Sequence, residues 1–167
     1  GLVKRACQFD SGLRHQIAIL RGCFRYPISE FGHLISGGSM GVSTTELEKA
    51  VKSLEEALGL HQNSKTEAEK KAFRDAVIQR FEFSIELSWK TAMKVLGSTT
   101  AAPKPAIREM ARNNLINDPE SWFKFIDARN ESSHTYDEDV AQKVYLVVLE
   151  FLPFGKELLV KLKSMAS

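Results

Sequence analysis

A chain of 167 residues has room for one ordinary domain with an appendage, and 43% hydrophobic with 26% charged residues marks it as globular, not disordered or fibrous. Charged side chains recur every few positions, so no stretch approaches the roughly 20 apolar residues of a bilayer span, and no membrane role is expected. The net charge of +2 is unevenly spread: residues 1–39 carry five basic and two acidic side chains, leaving −1 for the remainder, which excludes a strongly basic body built to grip long duplex nucleic acid.

The chain changes character at Gly37-Gly38-Ser39. Six of the ten glycines and both cysteines, Cys7 and Cys23, lie before residue 40, and the helical spacing of Leu13, Ile17, Leu20 and Phe24 stops at Tyr26-Pro27. Residues 1–39 are expected to be an extension foreign to the domain, with Met40 as its natural start and 40–167 as the folded body. Cys7, His15, Cys23 and His33 are of zinc-ligand type, but their intervals are wider than the short knuckles that preorganise a zinc site. No metal and no cofactor are expected. A body without thiols fits a reducing cytoplasm.

Five helices are predicted in the body. Ser43 and Glu46 form a capping-box pattern ahead of Leu47, Ala50, Val51, Leu54 and Leu58. Ser64 and Glu67 repeat that pattern before a run free of Pro and Gly up to Gly97. Its apolar stripe is Phe73, Val77, Phe81, Ile85, Trp89, Ala92 and Leu96, and Ile78, Phe83 and Leu87 make a second surface. At about 1.5 Å per residue that helix spans roughly 45 Å, and its two apolar faces call for two partners, the core and a second copy of the chain. A short helix follows, with Pro105 near its first turn and Ile107, Met110 and Ala111 buried; Asn113-Asn114 end it. Asp118-Pro119 opens a fourth helix by an N-cap followed by an N1 proline, burying Trp122, Phe123 and Ile126. Asp137, Glu138 and Asp139 open the fifth, with Val140, Val144, Val147, Val148 and Phe151 inward and a kink expected at Pro153. The predicted fold is an all-α bundle.

Between the last two helices, residues 128–136 lose apolar character for more than two turns. Arg129 and His134 sit there, about 140° apart on an ideal helix, so they converge only where the helix ends or bends. An arginine holds phosphate bidentately and a histidine exchanges protons near neutrality, which suits phosphodiester chemistry in which the RNA 2′-hydroxyl attacks its own phosphate. The structural alternative stands beside it: His134 as a helix C-cap, Arg129 paired with Asp127, Glu131 or Asp137, and Tyr136 packed on the bundle. Glu86 and Asp75 offer polar contacts on the long helix, but no spacing ties them to the site. Gly97-Ser98 with Asp137-x-Asp139 superficially matches nucleotidyltransferase elements, yet no strand is present to gather two metals, so catalytic nucleotidyl transfer by this chain is rejected.

The stretch from Phe73 to Lys90, with Arg129-Asn130-Glu131-Ser132-Ser133-His134-Thr135-Tyr136 after it, closely resembles the nucleotidyltransferase substrate-binding family of the HEPN (higher eukaryotes and prokaryotes nucleotide-binding) superfamily, over nearly all of residues 43–163. The resemblance implies an antiparallel, up-and-down four-helix bundle, here with one additional short helix, that is dimeric, and an R-x₄-H-x-Y site matched by Arg129, His134 and Tyr136, with Asn130 supporting. It further implies a toxin that cuts RNA, transfer or messenger, without metal. Its partner would be a separate minimal nucleotidyltransferase, the antitoxin, silencing it by placing AMP on Tyr136. The other activity implied is non-catalytic nucleotide or substrate binding for that transferase.

Overall fold

The computed structural model describes residues 42–166. The expected extension over residues 1–39, its zinc-type residues and the start at Met40 lie outside the described residues. Within them are five α-helices, α1 (Thr45–Gln62), α2 (Glu67–Val95), α3 (Pro103–Arg112), α4 (Pro119–Glu131) and α5 (Glu138–Ala166), with a 3₁₀ turn over Ser132–His134 and no strand. None of these helices is long and apolar enough to cross a membrane.

Helix starts depart from the expected capping boxes at two places. Ser43 bonds the Thr45 hydroxyl at 3.1 Å and Glu46 is drawn to Lys49 at 3.0 Å, so Thr44 caps α1 without a side-chain bond. The Ser64 hydroxyl instead donates to the His61 carbonyl at 2.6 Å, helping to close α1. The reciprocal box belongs to Thr66 and Glu69, two residues later, where Glu69 N–H donates to the Thr66 hydroxyl at 3.1 Å and the Glu69 carboxylate accepts from Thr66 N–H at 3.1 Å. Three further starts follow local chemistry. Pro103 is the first residue of α3, with Pro105 in its first turn as expected; Asp118 caps α4 through Ser121 N–H; and Asp137 accepts from the Asp139 and Val140 amides ahead of α5. At the far ends of α2 and α3, Gly97 and Asn114 take positive φ, 64° and 57°, a conformation that a glycine or asparagine reaches at least cost. Helix α5 continues past Pro153 as a single helix.

The helices associate through the predicted stripes. Leu47, Val51, Leu54 and Leu58 of α1 are buried with Val77, Phe81, Ile85 and Trp89 of α2 and Val144, Val148, Phe151 and Leu158 of α5. Four aromatics, Phe81, Trp122, Phe125 and Phe151, meet edge-on with Phe151 at the centre, at centroid distances of 5.2, 5.9 and 5.4 Å from it. This geometry suits the ring quadrupoles and fills the core where α2, α4 and α5 come together. Phe125 is the inward residue of α4 that the sequence pattern did not single out; Phe123 is half-buried beneath the Arg108 guanidinium, 5.5 Å away. Lys163 pairs with Glu48 and Lys156 with Glu55, each at 2.6 Å, so α5 runs antiparallel to α1. Of the second face expected on α2, Ile78 is buried, Leu87 half-buried and Phe83 43% exposed.

Candidate functional site

Arg129 lies in the last turn of α4, which ends at Glu131 and gives way at Ser132 to the 3₁₀ turn that carries His134. The break has a local cause. Ser132 is buried, and its hydroxyl bonds both the Arg129 carbonyl, at 2.7 Å, and the Glu82 carboxylate of α2. A hydroxyl bonded back to the helix carbonyl competes with continuation of the α-helix. Ser133 does the same to the Asn130 carbonyl at 3.0 Å.

The Arg129 side chain is 45% exposed and reaches Glu86 of α2, Nη2 to Oε2, at 3.8 Å. That pairing replaces the three partners considered from the sequence, Asp127, Glu131 and Asp137. It is long, and Glu86 is shared: Lys90 Nζ lies 2.7 Å from Oε1 and Trp89 Nε1 donates to Oε2 at 3.4 Å. The Asn130 amide oxygen accepts from Arg129 Nη1 at 3.4 Å. The guanidinium is therefore steered by two weak contacts and keeps most of its donors for an incoming anion.

His134 is exposed, and its ring lies edge-on to Tyr136, centroids 6.1 Å apart at 79°. Tyr136 itself is 88% exposed and so does not pack on the helices. Among the described residues no hydrogen bond or ion pair joins Arg129 to His134. One segment presents both groups to solvent without locking them together.

Beyond Tyr136 the chain is pinned again. His134 carbonyl accepts from Asp137 N–H at 3.1 Å. Glu138 then receives both terminal nitrogens of Arg74, a buried residue of α2, with Nη2 to Oε2 at 3.1 Å. The hydrogen bond from Arg74, and then its charge, hold the Glu138 carboxyl down at about 2 despite some desolvation. The same bond raises the Arg74 guanidinium further above its ordinary value. Asp75 lies 3.5 Å from Arg74, whereas Glu86 pairs with Arg129. Arg74, Glu82 and Glu138 were not legible as site neighbours, whereas Ser132 was, standing between Arg129 and His134 where the helix was expected to end or bend. Arg74 stood in the sequence as a charge beside the apolar stripe, inside the stretch from Phe73 to Lys90 that carries the resemblance, with no role assigned to it. Among the described residues no group of three or more His, Cys, Asp or Glu side chains is placed to hold a metal.

The sequence model of the family described as nucleotidyltransferase substrate binding protein like matches residues 43–164. The chain belongs to this family. Over 95 residues it is 36% identical to the protein named Probable ribonuclease HepT of Haemophilus influenzae; the match covers 52% of this chain and 65% of that relative, a little under two thirds of its length. A crystal structure from Thermus thermophilus superposes with a TM-score of 0.60 at 30% identity, covering 70% of this chain and 98% of that one. A Haemophilus influenzae structure, reported as the fold of a substrate binding domain of a nucleotidyltransferase, gives 0.63 at 29% identity, covering 70% and 96%. In this member of the nucleotidyltransferase substrate-binding family, both matched motifs, on α2 and at the end of α4, face each other through Glu82–Ser132 and Glu86–Arg129.

Proposed function

We propose that this chain is a HEPN-type four-helix bundle that works as a twofold dimer and cuts RNA without a metal ion. The observation that carries the reading is the pairing of a loosely held guanidinium, Arg129, with an exposed imidazole, His134, on one pinned segment. Arg129 binds the scissile phosphate and offsets charge on its non-bridging oxygens. An imidazole takes the proton of the 2′-hydroxyl as O2′ bonds to phosphorus. The phosphorus–O5′ bond breaks, and the departing O5′ takes a proton from the second copy's imidazole, leaving a cyclic phosphate and a free 5′-hydroxyl. Two copies supply the base and the acid that one His134 cannot be at once. The exposed Phe83, one turn before Glu86, gives the second copy an apolar surface close to the site.

The regulatory partner in this reading is a separate minimal nucleotidyltransferase that transfers AMP to Tyr136. The hydroxyl of a side chain 88% exposed is open to such a transfer. The modification would set a charged, bulky group beside His134 and block the RNA phosphate. A second reading, a non-catalytic substrate-binding subunit of the transferase, is supported by the name of the family and by the reported fold of the Haemophilus influenzae structure. Incubation with transfer RNA in excess chelator separates the two. Wild-type protein is expected to cut, and His134→Ala and Arg129→Ala to lose about 10²-fold or more. RNA left whole by wild type at high concentration favours the binding subunit. With transferase and ATP, mass spectrometry is expected to show AMP on wild type and none on Tyr136→Phe; equal labelling of both sinks the role given to Tyr136.

A further inference from the structure

The turn bearing His134 and Tyr136 has almost nothing apolar to hold it. Ser133, His134, Tyr136 and Asp137 are exposed and Thr135 is half-buried. Its position depends on polar contacts to α2 at each end: Ser132 to Glu82 before it, and Glu138 to Arg74 after it.

Arg74 is costly for stability alone. It is 5% exposed, flanked on α2 by the buried Phe73 and Val77, and its Nε has no hydrogen-bond partner among the described residues. A buried guanidinium with an unsatisfied nitrogen is commonly matched or bettered in stability by a well-packed apolar residue, so its use here points to placement more than to strength. What it places is Glu138, the first residue of α5, two positions after Tyr136. The planar fork of the guanidinium takes both carboxylate oxygens, which fixes direction as well as distance. Glu82 lies eight residues along α2 from Arg74, about 12 Å at helical rise, a separation suited to holding the two ends of one short turn.

We propose that the Arg74–Glu138 pair is a positioning clasp that, with Glu82–Ser132 at the other end, fixes the His134–Tyr136 turn for reaction. The clasp rests on the ribonuclease reading for its effect on cleavage, but its hold on the turn is measurable without it. The test compares wild type with Glu138→Gln, an exposed and nearly isosteric change, and with Lys156→Met, which breaks an ion pair far along α5. Amide hydrogen exchange at residues 133–137 is expected to quicken about tenfold or more in Glu138→Gln alone, with α1 and α3 unchanged. With transfer RNA as probe, kcat is expected to fall at least about tenfold while KM stays within about threefold, because misplacement harms reaction geometry more than binding. Exchange at the wild-type rate in Glu138→Gln overturns the clasp. Faster exchange with kcat unchanged overturns its role in positioning for reaction. RNA uncut by wild type removes the ribonuclease reading and leaves the exchange rates to decide whether the clasp holds the turn.

Discussion

Tyr145 Oη lies 2.9 Å from His61 Nδ1, with the rings 4.4 Å apart, at the junction of α1 and α5. Burial, and then the charges of Arg74 and Lys70, push the His61 imidazole below its ordinary value near 6.5. Its folded pKa is below the unfolded one, so protons favour the unfolded chain. The contribution is fully present above pH 6.5 and is lost as pH falls below it. Glu138 carries the same sign lower down: its stabilisation is present above about 4.5 and fades as pH falls toward 2. Tyr145→Phe is expected to cost about 1 kcal/mol in urea unfolding at pH 7.5. His61→Gln should shrink the loss of stability between pH 7.5 and 5.5, and an unchanged loss would contradict the assignment. At this scale the residue types were readable in the sequence but their partners were not. Arg129 has three acids within eight positions, and it pairs with Glu86, 43 positions away, because α2 passes beneath the end of α4.

At the scale of the element, two overlapping Ser/Thr-x-x-Glu patterns precede α2, and only one becomes its box. Ser64 is already engaged by the His61 carbonyl, so the chain turns into α2 at Thr66. Thr66→Ala removes the hydroxyl half of a reciprocal cap and is expected to cost about 1 kcal/mol, while Ser43→Ala, which removes only exposed contacts to Thr45, 3.3 Å to its amide and 3.1 Å to its hydroxyl, stays within about 0.5 kcal/mol. Thermal unfolding of the two variants checks the contrast; equal shifts would refute it. Periodicity was a sound guide to which helices exist and which faces turn inward. It was poorer where a side chain lies at the edge of a stripe: Phe123 was expected inside and is half-buried, while Phe125 is buried completely.

For the whole molecule, exposed apolar side chains remain after folding, Phe83 on α2 and Leu146, Leu149 and Val160 on α5. If the proposed twofold dimer uses Phe83, Phe83→Glu is expected to yield a folded monomer in sedimentation with RNA cleavage reduced about tenfold or more, since the acid and base would come from different copies. A Phe83→Glu protein that stays dimeric and active removes Phe83 from the interface.

The sequence by itself determined the all-helical class, the order of the five helices, the proline and aspartate starts of α4 and the polar break that ends it. Each of these is encoded within a turn or two of chain, where propensity and capping act. Only the tertiary structure decided that Glu82 meets Ser132, 50 positions apart, and that Arg74 meets Glu138, 64 apart. Such pairs carry no local signature, because their distance is set by how α2, α4 and α5 dock around Phe81, Trp122, Phe125 and Phe151 once the apolar stripes are buried.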